Sequence, residues 1–417
     1  MRQLSDFDNI DELIVDPLTY ADPELYHNIF QALRHEDPIH WTASREYRPF
    51  WAITRHADVM SVEFNAQNFL NDPRSYLLKS AEEDALFEQT GSHILARTLT
   101  SMDNPDHRVY RALTSAWFGP KSIKGLEAEI QMLARTTVDK MLDSGDHCDF
   151  VKDIAAWYPL RTIMMVLGVP PEDEPLMLEL TQAFFGSTDP ETGGGGADSM
   201  REAFRRFSEY FEGITQERLG SPRNDIATVL STAMINGEPI AASERSAYYL
   251  IIAAAGHDTT SSAIAGGLLE LIRHPEQLAL LKKSPDLMAN AVDEIIRWTS
   301  PVKHFFRTAV EDAVVAGVEI KAGQNLMMCY PSANRDEKVF EKPNEFRIDR
   351  PDAKKHLAFG YGPHLCLGNT LAKMEIKALF AEIIERVDDI EISGQPAWVE
   401  ANFVSGLKRL PIKYRPR

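Results

Sequence analysis

The chain has 417 residues, 44% hydrophobic and 25% charged, with a net charge of −18; that is the balance of a soluble globular protein, and its acidity argues against nucleic acid and anionic lipid as partners. Three cysteines, Cys148, Cys329 and Cys366, are odd in number and too widely spaced for a disulfide framework, which fits a reducing cytoplasm. The first residues, Met1 to Asp8, carry neither a signal-peptide apolar region nor a membrane anchor, so a cytoplasmic protein is expected.

Helical periodicity dominates the pattern along the chain. A strand-like run from Pro49 to Thr54 comes first. Helices are predicted over 123–143, 172–185, 200–219, 245–273, 286–298 and 368–386. Between the second and third lies Gly193-Gly194-Gly195-Gly196, a composition that gives a flexible connection. Strands are predicted from Phe305 to Ala309, Val314 to Glu319 and Asn325 to Met328, the last two flanking the turn signal Lys321-Ala322-Gly323-Gln324. No internal repeat interrupts the chain. The expectation is a mainly α fold with small peripheral β-sheets, residues 1–417 forming one domain.

The helix at 245–273 is apolar almost all round from Ala247 to Leu269, which marks a helix buried in a large core. Gly256-His257-Asp258-Thr259-Thr260-Ser261-Ser262 breaks the apolar run, which disfavours a membrane span. An acid inside such a helix is costly unless paired or protonated. Ala255 and Thr259 stand four residues apart on one face, so the threonine hydroxyl can compete for a backbone carbonyl and open the ladder.

The most informative segment is Phe359-Gly360-Tyr361-Gly362-Pro363-His364-Leu365-Cys366-Leu367-Gly368, directly before the last helix. A thiolate there would be stabilised by backbone N–H groups and by the positive helix end. Glycines 360, 362 and 368 allow tight turns and close approach to a flat, bulky ligand. Such a cysteine suits a sulfur bound axially to haem iron. A zinc site would need further cysteine or histidine partners at ligand spacing. A nucleotide loop would need a Gly-x-G-x-x-Gly or Gly-Lys-Ser/Thr run. Neither pattern is in the sequence.

Phe-Gly-x-Gly-x-His-x-Cys-x-Gly is filled at every fixed position, and here the chain resembles the cytochrome P450 superfamily. Ala255-Gly256-x-Asp258-Thr259-Thr260 is similar to that family's oxygen-binding motif, and Glu294-x-x-Arg297 with Arg350 to its structural ion network. The resemblance spans nearly the whole chain. It implies the P450 fold, haem b as cofactor and Cys366 as the iron ligand. Phe359 and Gly368 would border the haem, as would Ala255. His107, Arg111, Arg307 and His364 would meet its carboxylates, for which the arginines are the better partners. Asp258 and Thr259 would deliver protons as dioxygen is reduced.

The resemblance also implies insertion of one oxygen atom from O2 into a C–H bond. Electrons would come from NAD(P)H through a flavin-dependent reductase and an iron–sulfur ferredoxin. Arg108, Lys121, Lys124, Lys373 and Lys377 are candidate contacts for that donor. Within the superfamily, Trp298-Thr299-x-Pro301-Val302-Lys303, the stretch from Tyr330 to Glu337, and Asn402-Phe403-Val404-x-Gly406 resemble the bacterial monoterpene (terpineol) hydroxylase group. The substrate pocket implied is Leu99, Thr100, Met102, Phe184, Phe185, Ile252, Ala255, Val302, Phe305, Phe403 and Val404. Most of these are apolar, so an apolar substrate is expected. Burying about ten carbons at roughly 0.8 kcal/mol each gives at most about 8 kcal/mol before association costs, hence micromolar binding at best. A monoterpene or an alkylbenzene such as cymene fits. Lys303 and His304 would admit a polar head group if they faced inward.

Polycyclic arenes and steroid side chains are alternative substrates. A rearranging or dehydrating haem-thiolate enzyme is a rival reading, opposed by intact Asp258 and Thr259. A haem sensor without turnover is a second, with no signalling domain visible in the sequence. A monomer is expected.

Overall fold

The computed structural model describes residues 2–94, 96–184, 189–191 and 196–417, with 183, 184 and 196–200 described by backbone alone. Helices dominate, and five small sheets lie apart from one another among the described residues. The largest cluster of buried apolar side chains surrounds the central helix Ala242–Arg273. Its residues from Ala247 to Leu271 are buried on nearly every face, as the apolar run predicts. It packs against Trp157–Leu167, Met288–Thr299 and Asn369–Arg386.

Missing side chains permit those crossings. A Cβ on Gly267 would stand 2.7 Å from Ile295 Cγ2, and one on Gly256 would stand 2.9 Å from Ile163 Cγ1. Real Cβ atoms do not approach that closely in close-packed interiors. Gly256 therefore serves helix–helix contact as well as the groove that its small size suggests in the sequence.

The predicted helix 123–143 is two helices, Pro120–Gly125 and Glu127–Asp143, separated at Leu126, where ψ is 0°. The one predicted over 172–185 is Glu174–Phe184 after a short turn Pro171–Asp173. The other four match Gly196–Gly220, Ala242–Arg273, Met288–Thr299 and Asn369–Arg386 within a few residues. The run Val314 to Glu319 is not one strand. Ala316 and Gly317 both take positive φ, 47° and 89°, and close a two-residue hairpin between Ala313–Val315 and Val318–Ile320. Such turns demand left-handed backbone at both central residues. Of the glycine run, 193–195 lie outside the described residues.

The five-stranded sheet runs Ile39–Thr42, Phe50–Ile53, Asn325–Cys329, His304–Ala309, Phe69–Leu70. Asn325–Cys329 pairs parallel to Phe50–Ile53 and antiparallel to His304–Ala309. Side chains alternate across a strand. Phe306 thus turns to Phe50 in one core, ring centroids 5.1 Å apart, while Phe305 and Arg307 face the large cavity described next.

No described helix is long and apolar enough to cross a membrane.

Candidate active site

The cysteine loop enters the final helix through Gly368, so Cys366 sits just ahead of Asn369–Arg386. The loop is tied locally. Cys366 N donates to Phe359 O (2.8 Å), and Asn369 Nδ2 donates to Cys366 O (2.6 Å). Gly360 and Gly362 take φ of +70° and +69°, backbone that disfavours any Cβ, and a Cβ on Gly362 would also stand 2.9 Å from Glu63 O. Gly368 differs, with φ −86°. Its backbone does not require glycine, and apart from its own local backbone nothing lies within 4 Å of where its Cβ would stand. Its bare face leaves open space in the cavity wall. Burial raises the Cys366 thiol pKa, while the backbone N–H groups of Gly368 and Asn369 and the Arg111 charge pull it down. Those are the groups that would hold a thiolate.

A buried ion network supports the loop from behind. Glu294 and Arg297 are fully buried and form a two-pronged pair, Nε to Oε2 at 2.6 Å and Nη2 to Oε1 at 2.8 Å. Arg350 Nε reaches the same carboxylate at 3.2 Å. Arg297 Nη1 then donates to Asn334 O (2.8 Å), and the Asn334 side-chain oxygen accepts Leu357 N (2.6 Å). Helix, connection and loop are joined by charge-assisted bonds, which are short and directional.

The cavity beside Cys366 collects side chains from distant parts of the chain. His107, Arg111, Arg307, Phe359, His364, Cys366 and Gly368 border it, as do Ala255 and Thr259. Arg111 Nη2 donates to Leu365 O (2.6 Å). His107 and His364 stack with ring centroids 3.9 Å apart. Burial lowers both imidazole pKa values, His107 to about 4 and His364 to about 2, with neighbouring arginines adding to the effect. His364 Nε2 lies 2.8 Å from Asn71 Nδ2, and that amide also donates to Asp103 Oδ1.

Arg307 has a partner that sequence reasoning missed. Its Nη2 meets Glu63 Oε1 at 3.1 Å, and the same oxygen accepts the Tyr330 hydroxyl at 2.6 Å. Glu63 is 2% exposed. Burial raises its carboxyl pKa, offset by Arg307 and Tyr330. The signal was present: Val59, Val62 and Glu63 share a helical stripe, so the acid occupies an apolar face.

Of the expected pocket residues, Leu99, Thr100, Ile252, Ala255, Val302 and Phe305 border this cavity. Met102, Phe403 and Val404 do not. Met102 is buried in the main core. Phe403 stacks on Tyr76 (5.3 Å), and Val404 bridges Val302 from behind. They back the wall rather than form it. Phe118, Ile163, Ile251 and Ala263 are additional lining residues. Phe185 and the side chain of Phe184 lie outside the described residues. Neither Lys303 nor His304 borders the cavity. Burial lowers the His304 pKa to about 3, and its Nε2 accepts Leu77 N (3.2 Å).

On the central helix the Thr259 hydroxyl donates to Ala255 O at 2.8 Å, the back-bond that the four-residue spacing predicts. Asp258 does not border the cavity. Its Oδ1 lies 3.1 Å from His257 Nδ1, and His257 Nε2 meets Ala156 O at 2.8 Å.

The residues present fit a haem. Cations gather with His107 Nε2 and Arg307 Nε buried and without hydrogen-bond partners, which suits two carboxylates. One thiol and a bare glycine border the same space, and the rest is largely apolar.

The chain is similar along its length to known proteins. The description "Cytochrome P450" matches residues 196–397. Cytochrome P450-terp of Pseudomonas sp is 43% identical, over 98% of this chain and 97% of that protein. The chain belongs to the cytochrome P450 family. Linalool 8-monooxygenase of Pseudomonas putida is 30% identical over 95% of this chain and 98% of its own length. The crystal structure of CYP108D1 from Novosphingobium aromaticivorans DSM12444 superposes with a TM-score of 0.92 at 39% identity, covering 98% of each chain. The fold is accordingly that of a P450. The protein is a haem b oxidoreductase of the monooxygenase kind.

Proposed function

We propose that this P450, a single haem domain, hydroxylates an alkyl carbon of a compact, largely apolar substrate of about ten carbons, a monoterpene or an alkylbenzene. The observation that carries this reading is the apolar lining contributed by Leu99, Ile251, Ile252, Val302 and Phe305, with Lys303 and His304 turned elsewhere. The similarity to a relative named for linalool, itself a monoterpene alcohol, supports the same substrate class.

In the overall reaction the substrate C–H becomes C–OH, and the second oxygen atom of O2 leaves as water with two electrons and two protons. When bound, haem supplies the one-electron and dioxygen chemistry. Cys366 would hold the haem iron through its sulfur. Arg111, Arg307 and His107 would hold the carboxylates, with Glu63 keeping Arg307 in place. Thr259 keeps its hydroxyl at the cavity by donating to Ala255 O, and its lone pairs remain free to accept. His257 Nε2 lies 2.8 Å from the acceptor Ala156 O, and its Nδ1 lies 3.1 Å from Asp258 Oδ1 without forming a hydrogen bond. Asp258 would pass protons toward Thr259.

The electrons would arrive from a ferredoxin, itself reduced by an NAD(P)H-dependent reductase, in the cytoplasm. Arg108, Lys121, Lys124 and Lys377 are exposed and form no ion pair among the described residues. Lys373 is a weaker candidate, because its ammonium pairs with Asp293 at 2.6 Å.

The test is to titrate a monoterpene, an alkylbenzene, a fatty acid and a sterol against the ferric protein. Reconstituted turnover should follow. Spectral binding and coupled product formation with the first two are expected. Tighter binding and coupled turnover of the fatty acid or sterol would overturn the substrate class.

A further inference from the structure

A second cavity, of about 300 Å³, lies behind the active-site wall. Its lining comes from the start of the helix Pro23–Glu36, the C-terminal half of the central helix, the segment 298–303 and the hairpin around Trp398 and Leu407. The partition between the two cavities is thin. Val302 borders the first and Lys303 the second. Lys303 N donates to Phe403 O (2.8 Å), and Ser405 N to Pro301 O (3.1 Å).

Two cations border this space without a carboxylate within ion-pair distance among the described residues. Lys303 Nζ donates only to the backbone oxygens of Thr299 (3.2 Å) and Ser300 (3.0 Å). Arg335 is 5% exposed and lies 3.9 Å over the Trp298 ring. Its one side-chain hydrogen bond runs from Nη1 to Asn344 Oδ1 (3.1 Å), and Nε has none. Two acids also border the cavity. Glu270 pairs with Arg273 (3.2 Å) and His274 (3.6 Å) and, like Glu294, acts on Arg335 only from beyond ion-pair distance; Glu24 is exposed at the rim. Burying charge without a counter-charge is expensive. The strain is visible: burial lowers the Lys303 pKa to about 7 with help from Arg335, and burial lowers that of Arg335 to about 9. Flat apolar surface is supplied by Trp298, Trp398 and Tyr26.

We propose that this cavity is a second ligand site, separate from the haem pocket, for a small aromatic carboxylate. The carboxylate lies between Lys303 and Arg335, and the ring lies along the tryptophan walls. An uncharged analogue leaves both cations unpaired and does not bind comparably. Since the site shares a wall with the substrate cavity but not its space, occupancy leaves the iron's surroundings unchanged.

The test uses the ferric haem-loaded protein, with benzoate as probe and benzamide as its neutral counterpart, followed by calorimetry. Saturable benzoate binding without a Soret shift is expected, undisturbed by an apolar ligand that shifts the Soret band. Benzamide should bind at least about tenfold more weakly, the value of one charge-assisted bond. Arg335→Gln tests the buried cation directly. Should it fail to fold, Lys303→Met, which removes a partly accessible group, decides, with a weakening of about tenfold or more. Absence of saturable binding would overturn the proposal, as would unchanged affinity in Lys303→Met. So would a benzoate-induced Soret shift, or displacement of benzoate by inorganic phosphate.

Discussion

At the scale of single residues, the central helix makes separable predictions for Thr259 and Asp258. Thr259→Ala removes the hydroxyl at the cavity but little of the apolar lining. It should keep the substrate-induced spectral change while diverting reducing equivalents to peroxide, read as hydrogen peroxide per NAD(P)H. Full coupling would contradict the role given to Thr259. Asp258→Asn replaces a carboxylate that can carry a proton by an amide that cannot. Oxygen consumption should slow about 10²-fold or more, the usual range for a lost acid–base group being about 10²–10⁴. An unchanged rate would remove Asp258 from proton delivery. Glu63→Gln tests the buried acid that meets Arg307. Arg307 would lose the buried counter-charge that holds it, which costs about 3–5 kcal/mol where nothing replaces it. Thermal unfolding of the holoprotein should fall, and haem should pass faster to an acceptor protein. Unaltered haem retention would show that Glu63 does not hold Arg307 in place.

At the scale of elements, the central helix depends on bare positions at its crossings. Gly267→Ala gains about 1 kcal/mol of helix propensity, but its Cβ would strike Ile295 at 2.7 Å. Overpacking of this kind costs typically 1–3 kcal/mol, so the variant should be no more stable than the parent in denaturant unfolding, and destabilised at the upper end. Combined with Ile295→Ala, the two costs should be less than additive. Strict additivity would mean that the crossing tolerates the extra methyl. The elements legible in the sequence were those carrying their own signal. The central helix announced itself by a long apolar run, and the cysteine loop by glycines at fixed spacing before a helix. Glu294 and Arg297 were legible as a pair because they are three residues apart. What escaped needed long-range information. Glu63 meets Arg307 across 244 positions, and periodicity carries no trace of that. Lys303 and His304 turn away from the active site because the Val302–Val404 bridge fixes the register there. Phe403 and Val404 fell one layer behind the wall for the same reason. The hairpin at Ala316-Gly317 was missed because alanine at positive φ is not a turn signal.

At the scale of the whole molecule, a net charge of −18 repels an acidic electron donor at long range, so docking rests on local basic groups. Arg108, Lys121 and Lys124 stand exposed on the helices Asp106–Ser115 and Pro120–Gly125. Exposed Val109 and Leu365, 39% and 42% accessible, offer apolar contact nearby in sequence to Arg108 and to Cys366. Lys121→Glu with Lys124→Glu should slow ferredoxin-driven reduction severalfold at low salt, with a smaller difference as salt screens the field. Reduction by dithionite should not change. Equal ferredoxin rates at low salt would move the docking face elsewhere. The account of the whole molecule nonetheless turns on one sulfur. Cys366 alone among the cysteines borders the cavity that fits haem, while burial raises the thiol pKa of Cys148 to about 12 and that of Cys329 well above its usual range. The most direct measurement is the absorption spectrum of the reduced carbon monoxide complex of Cys366→Ser beside that of the unaltered protein. The strongly red-shifted Soret band should be present in the unaltered protein and absent in the variant, and its persistence in Cys366→Ser would contradict the assignment of the iron ligand.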